Sequence, residues 1–416
     1  MGWEDALARA AGYWALLSRN RNFRLLFGGV TISFFGDWFT TIALYTMVQT
    51  LSDSATAVAL VLVAKTLPVF LASPIAGPIV DRYDRRLVLL TTIVLRAFLT
   101  VALLGGWMLS SVPIILLSEV VRASVNGVFI PCREAALPAV VDEGELAPAM
   151  ALNGGAWSVM LAMGAAAGGA VTAWLGVTGA LAIDVLTFVV AGAIVAGLPS
   201  LPPREDDDGV DETVRFVDGL RYLKERVPLA VLLTMKSGQA LSGAAIVAIP
   251  FYGNGLFSLA GAGFVGLLYA ARGLGAMGGS LGLRRLVGDD SLVLRRMLGP
   301  LFLVQVVAYG SVAFAPSMAW SALGFFVAGI GGAGLWVFSG IVAQRAIDGP
   351  VRGRLFALEF GGMTLVSSLS SLGAGLLMDG LGWSIREVVS GVAVVLLVPA
   401  IAAFWLATQR VVPEPA

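Results

Sequence analysis

Histidine is absent from the 416-residue chain, and cysteine occurs once, at Cys132. Without an imidazole there is no Ser-His-Asp machinery, no histidine metal site and no histidine proton relay. A single thiol permits neither an internal disulfide nor a thiolate metal cluster. Charge is scarce as well: 13% of residues are charged, where a soluble domain carries about one quarter. The 27 basic residues balance the 27 acidic ones, and zero net charge argues against nucleic acid or any other polyanionic partner. No G-x-x-x-x-G-K-[ST] loop occurs, so the chain shows no ATPase of its own. The acidic run "EDDD" at 205–208 lacks ligand spacing and reads as a solvated loop, with no metal and no cofactor implied. A polytopic membrane enzyme would need a catalytic constellation that this composition does not offer. The N-terminal stretch carries charges throughout and does not read as a cleavable signal.

Apolar residues are what the chain has in excess, at 58% with a mean hydropathy of +0.88. A helix crosses the hydrocarbon layer with about 20 residues. Twelve runs meet that length: 23–49, 55–79, 87–109, 113–134, 150–174, 178–198, 229–253, 262–283, 292–314, 319–344, 355–378 and 383–406. They are called spans 1 to 12 below. They are too long, and alternate too little, to be strands of a closed barrel. The expected fold class is therefore an all-α polytopic membrane protein.

Arginine placement orients the spans. The connections near 50–54, 110–112, 175–177, 254–261, 315–318 and 379–382 contain no Lys or Arg. The opposite set carries Arg82, Arg85 and Arg86, then Arg284 and Arg285, then Arg345, Arg352 and Arg354. The positive-inside rule then puts both termini in the cytosol. Residues 1–22, with Trp3, Leu7, Trp14 and Leu17 at helical spacing, read as an amphipathic segment lying on the cytosolic leaflet. Residues 199–228 break the apolar pattern with "LPPREDDD" and then a stripe of Val214, Val217, Leu220 and Leu223. They read as a cytosolic linker with an amphipathic helix. The chain thus divides into a bundle at 23–198, the linker, a bundle at 229–406 and a tail at 407–416. The halves echo each other, with an arginine-bearing turn after the second span of each ("DRYDRR", "LRRLVGDD"). Six plus six with matching loops is the mark of a transporter built from repeats, with its substrate site near mid-membrane between the halves.

The stretch "GPIVDRYDRR" at 77–86 resembles the helix 2–3 signature of the major facilitator superfamily. Gly77, Asp81, Arg82, Arg85 and Arg86 match it, and Asp84 stands where the pattern has glycine. The resemblance implies two six-helix bundles and a cytosolic latch. In that latch the acid meets a helix N-terminus of the other half and the arginines pair with carboxylates; Arg352, Arg354 and Glu359 join the set. "FFGDWFTTIALYTMVQTLSDSATAVALV", "PCREAALPAVV", "VDGLRYLKERVPLAVLL" and "VRGRLFAL" resemble the bacterial exporters that include enterobactin-type siderophore and macrolide efflux proteins. In span 5, Gly155, Gly164 and Gly168 have the intervals of the antiporter signature of this superfamily, and ordinary small-residue packing explains them equally well. What the resemblance implies is a monomer that exports a small amphipathic, drug-like or siderophore-like molecule against protons. A lysophospholipid transporter and an uptake symporter share the same outline.

Ionisable groups inside a membrane cost about 2.5 kcal/mol or more and usually face a cavity or a partner. The candidates for proton or substrate handling are Asp37, Glu119, Arg122 and Asp184; the basic partners are Lys65, Arg96, Lys236 and Arg272. Glu119 and Arg122, three apart, share a helix face, and Arg122 resembles the span-4 arginine of proton-linked facilitators. Asp37 stands deepest in span 1. Two readings of it stay open: the carrier of the coupling proton or of a cationic cargo, or a structural ion-pair member with Lys65 or Arg96. Phe34, Phe35, Trp38, Phe39, Phe251, Tyr252, Trp336 and Phe338 are candidate aromatic lining for an apolar cargo.

Overall fold

A computed structural model describes residues 16–142, 145–203, 223–224, 226–252, 261–288, 290–347 and 349–409, without the side chains of 147, 151 and 349–353. The N-terminal amphipathic segment up to residue 15 and the linker stripe at 204–222 therefore lie outside the described residues. Every regular element described is a helix, and the chain is an all-helical, multi-pass membrane protein.

Nine described helices are long and apolar enough to cross a membrane, and Ala55–Leu71 with Ser73–Arg82, bent by 50°, makes a tenth. The remaining two expected spans have local explanations. Leu146–Val195 runs 50 residues, far more than one crossing needs, and breaks at Gly176, where φ is +69°. Only glycine takes that conformation without strain, and it divides span 5 from span 6. Span 8 is Ala262–Met277 continued through a π-helical turn at Gly278–Gly282 into Leu283–Val287. That turn cuts the α-helical part to 16 residues. Its sequence "GGSLG" has the G-x-S-x-G spacing of a hydrolase nucleophile elbow. Here, however, Ser280 lies in a helix and donates to the Met277 carbonyl at 3.4 Å, and no histidine exists to activate it.

Polar residues sit where spans begin. Asp84 caps span 3 (Arg85–Met108) by accepting from the Leu87 amide. Asp290 caps span 9 (Ser291–Ala313) through the amides of Leu292 and Val293. These two aspartates follow the second span of each half, so the internal repeat reaches down to the caps. Ser384 and Glu387 form a capping box at the start of span 12.

The molecule divides into two compact units. The first comprises the described residues of Met1–Met47 and Pro68–Asp208, and the second those of Val48–Leu67 and Gly209–Ala416. In the first, Phe23, Leu26 and Val30 of span 1 pack with Leu89 and Ile93 of span 3, Phe129 and Cys132 of span 4, and Phe188 and Val195 of span 6. In the second, spans 8 and 10 touch backbone to backbone. A Cβ at Gly275 or Gly279 would strike the carbonyls of Phe326 or Ile330, and one at Gly329 the carbonyl of Arg272. Other faces are apolar yet exposed, among them Phe98, Trp174, Val307 and Ile401. Such a surface suits lipid contact.

At one end of the second unit, Asp379 of span 11 accepts from the Ser54 hydroxyl at 2.6 Å and from the amides of Ala55 and Thr56 at 2.8 and 2.9 Å. A carboxylate thereby caps the N-terminus of span 2, where helical N–H groups lack partners of their own. Gly375 lets the two helices meet, since a Cβ there would lie 2.6 Å from the Thr56 Cα.

Candidate functional site

Span 1 can hold an acid at its centre because two other spans of the first unit supply basic partners for it. Asp37 accepts from Arg96 Nη2 of span 3 at 2.5 and 2.6 Å, and from Arg122 Nη1 of span 4 at 2.8 Å. Arg122 grips Glu119 at the same time, Nε to Oε2 at 2.7 Å and Nη2 to Oε1 at 3.1 Å. This fork is the bidentate geometry that makes arginine–carboxylate pairs strong. Arg96 is 1% exposed. Its guanidinium lies 5.1 Å from the centre of the Phe129 ring and 4.8 Å from that of Phe188, and it donates to Ser33 at 3.2 Å. Aromatic faces replace part of the hydration the cation has lost.

A third carboxylate joins from span 6. Asp184 is fully buried and accepts from the hydroxyls of Thr40 and Thr187. Gly36 makes this approach possible, because a Cβ there would run into Thr187 and Asp184 themselves. Gly164 and Gly168 of span 5 do the same for the next residues of span 1: a Cβ at either would lie within 3 Å of Trp38. Gly155, the third glycine of that set, has nothing near its missing Cβ. Gly127 in turn admits the bend of span 2, with the Val69 carbonyl and the Ala72 Cβ inside 3 Å of a Cβ built there.

Within this group solvent reaches Asp37 most. Its side chain is 20% exposed, against 1–5% for Arg96, Arg122 and Glu119. Three carboxylates, Asp37, Glu119 and Asp184, thus gather beside the guanidinium groups of Arg96 and Arg122.

The sequence candidates thus fall into separate places. Asp37, Arg96, Glu119, Arg122 and Asp184 form this cluster. Lys236 of span 7 and Glu359 of span 11 form a second buried pair, Nζ to Oε2 at 2.8 Å, in the other unit. Glu359, grouped by sequence with the arginines of the latch, is therefore bonded to span 7. Lys65 and Arg272 are half-buried, on spans 2 and 8. In the 77–86 loop, Asp81 and Arg82 are exposed. Arg86 donates to the Ala196 carbonyl at 2.7 Å, and the Arg85 amide to the Leu201 carbonyl at 2.9 Å. Asp84 accepts from the Ser200 hydroxyl and the Leu201 amide. This loop is tied to the end of span 6 in its own unit, and none of the ion pairs described involves Arg82, Arg85 or Arg86. Gly77 is half-buried with open space about it. Arg354 is half-buried, and the Arg352 side chain lies outside the described residues. Of the aromatic candidates, Phe39, Tyr252 and Phe338 are core residues, whereas Trp336 lines a cavity.

The family model described as transmembrane secretion effector, a branch of the major facilitator superfamily, matches residues 11–411. The chain belongs to that family. As a member of the superfamily it is a secondary transporter and not an enzyme. Among its relatives in Bacillus subtilis (strain 168), the uncharacterized MFS-type transporter YfiS is 24% identical over 409 residues, 92% of this chain and 93% of YfiS. A second, the uncharacterized MFS-type transporter YkuC, is 24% identical over 225 residues, so this match spans about half, 52%, of either chain. Two bacterial crystal structures share the superfamily fold. A homologue of the iron transporter ferroportin, inward-facing, aligns with TM-score 0.73 and 15% identity over 94% of this chain and 99% of that one. A homologue of the lysosomal transporter Spinster aligns with TM-score 0.71 and 15% identity over 94% and 97%. Identities so low speak for the fold alone.

Proposed function

We propose that this superfamily member is a proton-coupled exporter. It carries a small amphipathic, drug-like or siderophore-like molecule out of the cell by alternating access while protons enter. In this reading it acts as a monomer in the bacterial inner membrane with both termini in the cytosol.

The observation that carries the reading is the gathering of three acids, Asp37, Glu119 and Asp184, in the interior of one helical bundle, with Asp37 bonded to both arginines. A proton taken up by one of these carboxylates removes a charge from a place where charge is costly. Neutrality is strongly favoured where water is scarce. Asp37 is the member solvent reaches, and it bonds to both arginines. Loading or releasing its proton changes the pull on spans 3 and 4 together. With no histidine in the chain, carboxylates are the side chains of ordinary pKa suited to this work. Proton and cargo then need only differ in which access state they favour for one gradient to drive the other.

Purified protein in liposomes, given an imposed pH difference and offered dyes, macrolides, siderophores and lysolipids, tests the proposal. Outward-directed transport of an amphipathic molecule, driven by inward protons and lost in Asp37→Asn, is expected. Unimpaired pH-driven transport by that variant rules out the assigned role of Asp37, and accumulation in the opposite direction rules out export.

A further inference from the structure

The second unit holds a cavity of about 270 Å³ among spans 7, 10 and 11. Among the described residues its wall presents one charged group, Lys236, and around it Trp336, Phe356, Gln344, Val337 and Ile341. The ammonium lies 4.9 Å from the Trp336 ring centre and 5.7 Å from that of Phe356. Gly340 borders the ammonium: a Cβ there would sit 3.8 Å from Nζ, in ordinary contact, so a larger side chain would fill the space beside it.

Lys236 and its partner are not equivalent toward this space. Glu359 is 5% exposed and does not line the cavity. It takes one ammonium hydrogen on Oε2, and its other oxygen, Oε1, is buried with no hydrogen-bond partner. A lysine ammonium has three donors, and Glu359 occupies one. A ligand entering the cavity therefore meets positive charge and aromatic walls, while the carboxylate stays behind the lysine. A cation would be repelled by the group it meets first, and a wholly apolar molecule would leave the ammonium's remaining donors unused.

We infer that this cavity is a substrate subsite for organic anions: a carboxylate, sulfonate or phosphate head bonds Lys236, and a flat apolar body lies against Trp336 and Phe356. The volume sits just below the usual range for small-molecule sites, about 300–1,000 Å³, so it accommodates a head group and roughly one ring system. Glu359 acts as the tether that keeps the lysine aimed when the cavity is empty, and it competes with the ligand for the same ammonium. The inference rests on the transport reading and deepens it by assigning the charge of the cargo.

Two probes of one body and opposite charge, 2-naphthylacetate and 2-naphthylmethylammonium, separate the possibilities. Their binding is measured by titration to the purified full chain in a non-ionic detergent, with no gradient applied. The anion is expected to bind about tenfold or more tightly than the cation, a difference of the size one charge-assisted hydrogen bond supplies. Lys236→Gln should remove the preference and Lys236→Arg should keep it. Glu359→Gln should tighten anion binding several-fold, because the competitor is gone while the lysine remains. Should either variant of the ion pair fail to fold, Gly340→Val, which blocks the approach and leaves the pair intact, should still weaken the anion about tenfold. Equal binding of the two probes, preference for the cation, or an anion affinity indifferent to Lys236→Gln and Gly340→Val overturns the inference. Failure here beside intact pH-driven transport sinks the anion subsite alone, and the reverse pattern sinks the coupling proposal alone.

Discussion

At Asp37 the chain places one carboxylate between two arginines, Arg96 and Arg122, and the signs of substitution follow from which charge is left without its partner. Asp37→Asn removes one negative charge from a place where three carboxylates gather. It also keeps an acceptor oxygen in place, so it mimics the protonated state. The variant should therefore melt within a few degrees of the parent in detergent while losing its response to pH. Arg96→Met has the opposite sign. It leaves carboxylates uncompensated among Phe129 and Phe188 and should cost about 3–5 kcal/mol, the scale of breaking a buried pair. In the double variant Asp37→Asn/Arg96→Met, the coupling measured by a thermal double-mutant cycle should return part of that loss; strict additivity would argue against the pairing. Part of this site was legible in the sequence. An acid in mid-span is conspicuous against lipid-compatible neighbours, and Glu119 with Arg122 three residues on must share a helix face. That Arg96 bonds Asp37 was not legible, because Arg96 and Lys65 are both deep basic residues in the sequence. Only the packing of span 3 on span 1 brings Arg96 within bonding distance. Asp184 was equally opaque: its place beside span 1 depends on Gly36, a residue that in sequence looks like any other membrane glycine.

Helices meet around the site at glycines, and the caps fix where the spans begin. Gly36→Ala puts a methyl group into Asp184 and Thr187, so span 1 must move away from span 6. Overpacking of this kind costs about 1–3 kcal/mol. Transport should fall along with stability, whereas Gly155→Ala, with nothing nearby, should be silent in both measurements. At the mouth of span 3, Asp84 is tuned by opposing influences. Burial raises its pKa, but bonds from the Ser200 hydroxyl and the amides of Leu87, Leu201 and Arg86 outweigh that and hold it below the ordinary value. A depressed folded-state pKa means the stabilisation is fully present above the usual carboxylate value, about 3.9. It is then lost as pH falls through the lowered one. Asp84→Ala should cost about 1 kcal/mol near neutrality, and the gap from the parent should close in acid, below pH ~3.9. Amide exchange at Leu87 and Leu201 reports it directly. The resemblance assigned the 77–86 loop to a latch toward the other half, yet its aspartate at 84, where the family pattern has glycine, works as a helix cap within its own unit.

On the scale of the whole molecule, a carboxylate clasping a helix N-terminus does occur, but at span 11 and span 2, through Asp379. Residues 54–56 and 379 adjoin connections that carry no Lys or Arg, the set that the charge rule assigns to the outside. Asp379→Ala should speed amide exchange at Ala55 and Thr56 by about tenfold, the equivalent of one lost cap; unchanged exchange would mean the bond does not persist in solution. The twelve crossings could be read from hydropathy alone because lipid allows few other arrangements of the backbone. Hydropathy could not reveal the bend of span 2 at Ala72 or the π turn in span 8, since both change backbone geometry without changing composition. Cys132, lastly, sits fully buried in span 4 with its thiol against the Arg85 carbonyl. Water-soluble maleimides and nitroxide reagents should leave the native polypeptide unlabelled. A cysteine engineered at any exposed site thus becomes its sole reactive handle, and pairs of such handles can report distance changes during turnover without first deleting a native thiol.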